Sequence, residues 1–275
     1  MKQIFITILK GVWIGGTLTV PGVSGGSMAM ILGIYEQLLH SFNAVLTNAE
    51  ERKKNIYFLL QFSFGAGIGM ILLSGIVVKL LKWYPAPMTF FFMGTVAGGI
   101  PVFMKDIGRQ RIKGNDVVCF LSGVLVILLI ALLPSGIFAV DSGRGFTGLL
   151  LQFAGGILSA IALVLPGISV SHMLYILGIY EGLMYSISSF QWTACLPFGI
   201  GLIIGVVLSA GLVERFLSKY RRQTYLVILG FVAASVVDLF SFIEKIEMPG
   251  LCFFMGIAGF FVIYMCYFAN QKSIS

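Results

Sequence analysis

The stretch that decides the fold is PGVSGGSMAMILGIYE, residues 21–36, which opens with a proline and ends in a glutamate. The same pattern returns as PGISVSHMLYILGIYE, residues 166–181, with ten of the sixteen positions identical at a constant offset of 145. Each copy begins with residues that interrupt helices and then becomes apolar. A recurrence of this kind indicates that the chain contains two related halves.

The repeat extends beyond these two stretches. IGMILLSGIVVKLL, residues 68–81, aligns with IGVVLSAGLVERFL, residues 204–217, at an offset of 136. The sequence therefore predicts one repeat over 1–140, with a hairpin around 11–43, and a second over 141–275, with a hairpin around 156–187.

The composition places the chain in a membrane. Of its 275 residues, 58% are hydrophobic and 11% are charged, whereas soluble domains carry about 25% charged residues. The apolar stretches are long enough to cross a hydrocarbon core of ~30 Å, so we predict an all-α polytopic membrane protein. The stretches cover 4–20, 22–43, 56–82, 88–104 and 117–140 in the first half, and 146–165, 167–187, 194–217, 225–243 and 251–269 in the second.

Other sequence features exclude several function classes. The N-terminal segment has no small-residue cleavage site after a signal core, so we expect it to be retained. The cysteines show no CxxC spacing, and neither they nor the histidines form a metal-binding pattern. The net charge of +7 comes from short clusters, which is weak evidence for nucleic-acid binding. We predict no metal, no cofactor and no nucleic-acid partner.

The Lys and Arg residues of the loops predict the orientation. Loops 105–116 and 218–224 and the cluster 52–54 are basic, which assigns them to the cytoplasm together with both termini. Residues 1 and 50 then lie on one face of the membrane, and residues 141 and 190 lie on the other. Because each hairpin returns to the face that it left, we predict inverted-topology repeats, each a hairpin followed by three transmembrane helices.

The depth of the hairpins follows from helix rise. Lys10 and Pro21 are separated by ~16 Å of helix, and Ser24 and Glu36 by ~18 Å, which places the turn near the bilayer midplane. We therefore expect an interfacial helix that leads into a re-entrant hairpin. Two full crossings in each element are the alternative.

The Pro-Gly-x-Ser turns, called tips below, have the chemistry of an anion site. Irregular backbone inside a membrane occurs only where it is buried in protein or lines a cavity. Free N–H groups, serine hydroxyls and close backbone approach at glycine suit phosphate or carboxylate, and two tips could converge on one anion. Glycine and serine also permit close helix packing, which is the role we expect for Gly33 and Gly178. His172 is either a third donor or a neutral core histidine.

Several charged residues have two interpretations each. Glu36 and Glu181 are interfacial anchors or acids that line a pathway. Asp238 carries a coupling ion, a proton or sodium, or lies near the outer headgroups. Lys79 and Arg215 align across the repeats, and they are snorkelling anchors or steer an anionic headgroup.

The paired PG-x-S and LGIYE motifs resemble the signatures of the bacterial polyprenyl-phosphate transporter family (PopT), long catalogued as domain of unknown function 368. The resemblance covers essentially the whole chain. It implies a non-enzymatic transporter in the bacterial cytoplasmic membrane, which returns undecaprenyl phosphate from the outer to the inner leaflet for reuse in peptidoglycan and envelope polymer synthesis. The phosphate ligands that it implies, together with the adjoining motif residues, are Gly22, Ser24, Gly25, Gly26, Ser27, Gly167, Ser169, Ser171 and His172.

The second tip departs from the family pattern. Val170 stands where a glycine is usual, and His172 stands where the family has an apolar residue. A β-branched residue disfavours a left-handed backbone, so we expect the second tip to differ in shape or to bind less closely.

Two other functions remain open from the residues alone. An integral-membrane undecaprenyl-pyrophosphate phosphatase would need acids and an arginine beside the serines, but residues 11–35 and 145–180 contain no charged side chain. An ion-coupled carrier of a small water-soluble anion would use the same tips. The leading hypothesis is a lipid-phosphate transporter that works by alternating access, of unknown oligomeric state.

Overall fold

The structure, a computed structural model, describes residues 2–18, 23–108, 111–134, 136, 145–241, 243, 245–246 and 248–272. Its described residues form α-helices and no strands. The helices of the first half are α1 (Lys2–Thr17), α2 (Gly25–Ile31), α3 (Tyr35–Thr47), α4 (Arg52–Trp83), α5 (Pro85–Ile107) and α6 (Gly114–Ala131). Those of the second are α7 (Phe146–Val164), α8 (Val170–Leu177), α9 (Tyr180–Ser188), α10 (Trp192–Lys219), α11 (Arg221–Ser241) and α12 (Pro249–Lys272).

Both hairpins are interrupted at the tips. Ser24 precedes α2 and Ser169 precedes α8, each in an extended conformation, with φ −87° and ψ 127° for Ser24 and φ −86° and ψ 124° for Ser169. Pro166 and Gly167 of the second tip thus fall between α7 and α8, where a missing N–H or an unusual φ costs little.

Gly33 and Gly178 end helices, and the expectation that they serve helix packing is wrong. Gly33 has a φ of 64° and Gly178 a φ of 72°. This left-handed backbone is favoured by glycine and terminates a helix. The break separates α2 from α3 and α8 from α9, so each hairpin has a short helix after its tip and a separate helix after that.

The separate interfacial helix expected before the first tip is absent from the described residues. Residues 2–17 instead form one continuous helix that packs along α4. A β-carbon on Gly65 would lie 2.2 Å from Ile8 O, and one on Gly69 would lie 2.0 Å from Val12 O. From the first contact to the second, the residue on α4 and the residue on α1 each move four positions toward the C-terminus. The two helices therefore run parallel.

The second half repeats this packing at the offsets that the sequence predicts. A β-carbon on Gly201 would lie 2.1 Å from Phe153 O, and one on Gly205 would lie 2.9 Å from Ile157 Cα. These are the equivalents of the contacts between α1 and α4, so α7 and α10 also run parallel. Backbones this close require glycine at the crossing.

The remaining long helices pair across the halves. A β-carbon on Gly94 of α5 would lie 2.0 Å from Gly256 O of α12, and one on Gly230 of α11 would lie 2.2 Å from Phe120 O of α6. Gly94 is equivalent to Gly230, and Phe120 is equivalent to Gly256, each at an offset of 136. The two halves therefore exchange equivalent contacts, which the sequence repeat alone does not reveal.

Five of the described helices are long and apolar enough to cross a membrane, namely α4, α5, α6, α7 and α10. In α12 the apolar part covers Pro249–Met265. The set includes α7, which was expected in a hairpin, and does not include α11. Large apolar side chains such as Ile71 (79% exposed) and Ile203 (67% exposed) cover the outer surface, as a lipid-facing surface requires.

Candidate functional site

The two tips contact each other. A β-carbon on Gly26, in the first turn of α2, would lie 3.1 Å from both Cα and N of Pro166 and 3.2 Å from Val164 O. Only a residue without a side chain allows the backbone of one tip to approach the other so closely. Gly26 thus marks the place where the two halves meet.

Tyr35 holds the first hairpin to the second at the same place. Its hydroxyl donates a hydrogen bond of 2.9 Å to Val164 O at the end of α7, and its side chain is buried. The bond uses a carbonyl near the C-terminus of α7, where helix carbonyls lack partners within the helix. No sequence pattern indicates this role, because the bond joins residues 129 positions apart in the chain.

The first tip contains two buried hydroxyls that lack partners. Ser24 is 4% exposed and Ser27 is 2% exposed, and neither Oγ has a hydrogen-bond partner among the described residues. A buried polar group left unsatisfied costs about 1–3 kcal/mol, so most such groups in native proteins are bonded. Two of them within one turn make the first tip a candidate binding site.

The second tip is more accessible and partly satisfied. Ser169 Oγ accepts a hydrogen bond of 3.4 Å from His172 N, and the side chains of Ser169, Ser171 and His172 are half-buried. Gly167 has a φ of 89°, and a β-carbon there would meet the backbone of Phe231 at 2.6 Å. The predicted residues of the two tips therefore lie in different environments.

The left-handed backbone that Val170 would disfavour is not required at this position. Val170 is the first residue of α8, and Gly25 is the first residue of α2. Neither has a positive φ, and the preceding serines have nearly the same dihedral angles. The left-handed residue of the second tip is Gly167, which the motif retains.

The other predicted residues lie apart from the tips or outside the described part of the chain. Gly22 and the side chain of Asp238 are outside it. Glu181, Lys79 and Arg215 have exposed side chains.

Glu36 lies at one end of the helix bundle, where it binds the second half. Arg221 Nη2 donates to Glu36 Oε1 at 2.7 Å and Arg221 Nη1 to Glu36 Oε2 at 3.3 Å. The Tyr225 hydroxyl donates to the same carboxylate, and the Arg221 guanidinium lies 5.3 Å from the Tyr225 ring. Glu36 therefore joins α3 to the start of α11.

His40, one turn along α3, makes a second connection. Its Nδ1 lies 2.7 Å from Glu214 Oε1 of α10, and its Nε2 lies 3.0 Å from Glu51 Oε2. Asn43 Nδ2 donates to Glu214 Oε2 at 2.7 Å. Only protonated imidazole donates from both nitrogens, and the bonds to Glu214 and then Glu51 raise the pKa of His40 above its ordinary 6.5.

A third connection involves Arg222. It donates to both oxygens of Asp116 at the start of α6, at 2.8 and 3.1 Å, and to Ile107 O at the end of α5. The predicted basic loops thus lie together at one end of the bundle. We call it the ion-pair end, defined by Glu36, His40, Glu51, Asp116, Glu214, Arg221 and Arg222.

Sequence reasoning did not identify the partners at the ion-pair end. A usable signal is the difference between the halves at equivalent positions. Arg221 and Arg222 correspond to Pro85 and Ala86, Glu214 corresponds to Val78, and Asp116 corresponds to Cys252. Charges present in only one repeat indicate a role that the common scaffold does not require. Within the described residues, no three His, Cys, Asp or Glu side chains form a metal-binding group.

The fold and the tips define a polytopic helical membrane protein whose two related halves contact each other at the tips. The chain belongs to the VCA0040-like family, whose model, described as undecaprenyl phosphate translocase-like, matches residues 14–250.

Two curated relatives agree with this assignment. The chain is 30% identical over 249 residues to a polyprenyl-phosphate transporter of Staphylococcus aureus, covering 86% of each chain. It is 26% identical over 252 residues to a polyprenyl-phosphate transporter of Vibrio cholerae, covering 88% of this chain and 79% of the relative. These matches confirm the family resemblance of the paired motifs. No solved structure matches the chain.

Proposed function

We propose that this protein moves undecaprenyl phosphate from the outer to the inner leaflet of the bacterial cytoplasmic membrane. The lipid would then be available again for peptidoglycan and envelope polymer synthesis. Family membership and the names of the two relatives support the substrate class. The basic loops at the ion-pair end support a cytoplasmic location for that end and for both termini.

The observation that carries the proposal is the pair of unpartnered hydroxyls of Ser24 and Ser27, which flank in sequence the contact of Gly26 with the second half. A phosphate accepts hydrogen bonds, and each hydroxyl is a donor. In this site the lipid phosphate would satisfy both groups, with the glycine backbone of the first tip beside it. Ser169, Ser171 and His172 would complete the site from the second tip when the two halves rearrange.

An inverted repeat suits this function because it provides two equivalent gates. The ends of the helices support it: Glu51, directly before α4, and Glu214, near the end of α10, both bind His40. The equivalent helices α4 and α10 thus run in opposite directions. The parallel pairs α1 with α4 and α7 with α10 support hairpins that return to the face they left.

Alternating access would use the difference between the two ends. Three connections, Glu36 with Arg221, His40 with Glu214 and Arg222 with Asp116, join separate helices at the ion-pair end. At the opposite end, residues without charge occupy most of the equivalent positions. In this mechanism the ion-pair end is a gate that closes by charge and the opposite end a gate that closes by apolar packing.

The test is transbilayer movement of undecaprenyl phosphate in proteoliposomes, followed by the fraction of lipid phosphate that a membrane-impermeant phosphatase can hydrolyse. We expect wild type to expose the inner pool within the assay, and the double variant Ser24→Ala, Ser27→Ala to be at least ten-fold slower. Ser122→Ala is the matched control, because Ser122 is exposed on α6 and donates to Cys119 O in its own helix. Equal rates for wild type and the double variant would show that Ser24 and Ser27 do not bind the lipid phosphate. If wild type moves no lipid, the transport proposal is wrong.

A further inference from the structure

A cavity lies at the end of the bundle opposite the ion-pair end. Its volume is about 470 Å³, within the range of roughly 300–1,000 Å³ that is typical of ligand sites. Lys82 and Trp83 line it from the corner where α4 meets α5, and Ile243 and Lys245 line it from the connection between α11 and α12. Because α4 starts directly after Glu51 of the ion-pair end, its last residues place the cavity at the other end.

A difference between the repeats accounts for this cavity. Ala86 and Ile243, which line it, are equivalent to Arg222 and Ile107 at an offset of 136. At the ion-pair end, Arg222 Nη1 donates to Ile107 O at 3.0 Å, so the long side chain spans the space between the two elements. Alanine has no side chain that could cross the equivalent space. The cavity therefore lies where a guanidinium group lies at the ion-pair end.

The cavity carries positive charge. The side chains of Lys82 and Lys245 are exposed, and neither ammonium group forms a hydrogen bond or an ion pair with a residue that the structure describes. The described residues that line the cavity include no aspartate or glutamate. Glu244 and Glu247, which flank Lys245 in the sequence, lie outside the described part of the chain. Two ammonium groups beside one cavity favour an anionic ligand.

The cavity lies at the level of the lipid headgroups. Trp83 is 67% exposed and Tyr84 is 42% exposed, and both follow α4, a helix long and apolar enough to cross the membrane. Trp and Tyr side chains are enriched where the hydrocarbon meets the headgroups. The lining also includes Pro85 and Met248, which offer apolar surface to the start of a lipid chain. A lipid can therefore present its headgroup to the two lysines without leaving the membrane surface.

We infer that this cavity binds a phosphate monoester, with Lys82 and Lys245 as its charged ligands, and that it collects the headgroup of the transported lipid at the membrane surface. The inference rests on the proposed function for the identity of that lipid. A phosphate monoester carries about −1.5 to −2 charges at pH 7, whereas the phosphodiester of a glycerophospholipid carries one. Two lysines therefore favour the monoester. Inorganic phosphate has the same chemistry but no chain to contact the apolar lining.

The cavity and the tips are separate sites. None of the described tip residues lines the cavity, so each site can be changed without altering the other. In the transport sequence the cavity would bind the phosphate first, and Ser24 and Ser27 would bind it between the halves afterwards.

The experiment uses Trp83 as a local reporter of binding. The chain has three tryptophans, so Trp13→Phe with Trp192→Phe leaves Trp83 alone, and a monodisperse peak in size-exclusion chromatography shows that this full-length protein is folded. It is reconstituted in phosphatidylcholine nanodiscs and titrated with farnesyl phosphate. We expect a saturable shift of the Trp83 emission to shorter wavelength, because the bound lipid excludes water from the indole ring.

Three further probes separate the parts of the ligand. Farnesol has the chain without the phosphate, and it should cause no saturable shift. Inorganic phosphate has no chain, and its half-saturating concentration should be at least ten-fold higher. Phosphatidylglycerol added to the nanodiscs supplies a phosphodiester, and it should neither shift the emission nor displace farnesyl phosphate at an equal mole fraction.

Lysine variants of the reporter protein test the charged ligands. Lys82→Gln with Lys245→Gln should raise the half-saturating concentration of farnesyl phosphate roughly 10- to 30-fold, because each lysine at a membrane surface contributes about a factor of five to anion binding. Lys82→Arg with Lys245→Arg keeps both charges and should stay within about three-fold of the parent protein. Lys53→Gln with Lys219→Gln is the matched control, because it removes two exposed lysines from the ion-pair end. It should leave the titration unchanged.

The results either support or overturn the inference. It is wrong if farnesyl phosphate causes no shift, if the two Lys→Gln changes at the cavity have no effect, or if farnesol or phosphatidylglycerol acts as strongly as farnesyl phosphate. Inorganic phosphate that binds as tightly as farnesyl phosphate would overturn the lipid headgroup as the ligand.

The same proteins separate this inference from the proposed function. Ser24→Ala with Ser27→Ala should slow transport and keep the Trp83 response, because the tips do not line the cavity. If the parent protein moves no lipid but its Trp83 response still depends on the two lysines, the transport proposal fails and the anion site stands. If it moves lipid without any Trp83 response, the transport proposal stands and this inference fails.

Discussion

Glu36 of α3 and Arg221 of α11 lie 185 positions apart in the chain and form a two-point ion pair, with 2.7 Å between Glu36 Oε1 and Arg221 Nη2. Both side chains are about half exposed. The equivalent of Glu36 in the second half is Glu181, but the equivalent of Arg221 in the first half is Pro85. The ion pair therefore has no equivalent ion pair in the repeated sequence.

Removing this pair should loosen α3 at the ion-pair end. We expect Arg221→Gln to increase hydrogen exchange in residues 35–47 by about two- to five-fold, because half-exposed ion pairs contribute about 0.2–1 kcal/mol. Hydrogen–deuterium exchange with mass spectrometry measures the effect, and high salt should reproduce part of it in wild type. Lys219→Gln is the control, since Lys219 lies two residues away and contacts the ring of Tyr220. An increase as large in the control would contradict a specific role for Arg221.

The contacts of His40 should make the ion-pair end sensitive to pH. Because the folded-state pKa of His40 is raised, its contribution to stability is full below the unfolded value of about 6.5 and is lost as the pH rises through the folded value. The pKa of Glu51 is lowered, mainly by its bond to His40, so its contribution is lost only as the pH falls below its ordinary 4.5. The cluster is therefore strongest between about pH 4.5 and 6.5.

The variant His40→Gln tests this pH dependence. At pH 6 it should increase exchange in residues 35–47 relative to wild type, and at pH 9 the two proteins should exchange alike. The expected difference is below about 1 kcal/mol, because the cluster is partly exposed and screened by salt. A difference that is the same at both pH values would show that His40 acts by packing and not by charge.

Much of the scaffold could be predicted from the sequence because the two halves have similar sequences. The offset of 136 relates Gly65 to Gly201, and the offset of 145 relates Ile8 to Phe153. In the structure Gly65 contacts Ile8, and Gly201 contacts Phe153 in the same way. The breaks at Ser24 and Ser169 follow from local chemistry, which a single sequence contains. The charge of the basic loops predicts that they share one face of the membrane, and the structure joins two of them through Arg222 and Asp116.

The contacts between distant residues could not be predicted. Gly26 against Pro166, Tyr35 against Val164 and His40 against Glu214 each depend on how the halves pack, and no local pattern encodes that packing. The role of Gly33 was misjudged because an apolar run on both sides reads as one helix, whereas its φ of 64° ends the helix. The unpartnered state of Ser27 depends on burial that only the packed structure defines.

The unpartnered hydroxyls should make the first tip less stable than it could be. We expect Ser27→Ala to leave the free energy of unfolding unchanged or to raise it by about 1 kcal/mol, because the variant removes an unsatisfied buried group. The same variant should weaken lipid-phosphate binding at least ten-fold. A stabilising substitution that impairs function is typical of a functional site.

Thermal unfolding in detergent, with and without dimethylallyl phosphate, measures both effects of Ser27→Ala. Ser235→Ala is the control, because Ser235 is also buried but donates to Val232 O in its own helix. The control should lose stability or stay unchanged, and it should keep its binding. If Ser27→Ala destabilises the ligand-free protein by more than about 1 kcal/mol, its hydroxyl has a structural partner and the site assignment is wrong.

The glycine contacts between α1 and α4 and between α7 and α10 should be equally important in the two halves. We expect Gly65→Ala and Gly201→Ala to destabilise the protein by about 1–3 kcal/mol each, since a β-carbon would lie 2.2 Å from Ile8 O or 2.1 Å from Phe153 O. Gly67→Ala and Gly199→Ala are matched controls on the same helices, because a β-carbon there would meet nothing within 4 Å. These controls should be neutral or stabilising by about 0.5–1 kcal/mol, because alanine forms helix better than glycine. Thermal unfolding of the four variants gives the comparison. A large loss at Gly65 without one at Gly201 would show that the two halves do not share the same packing.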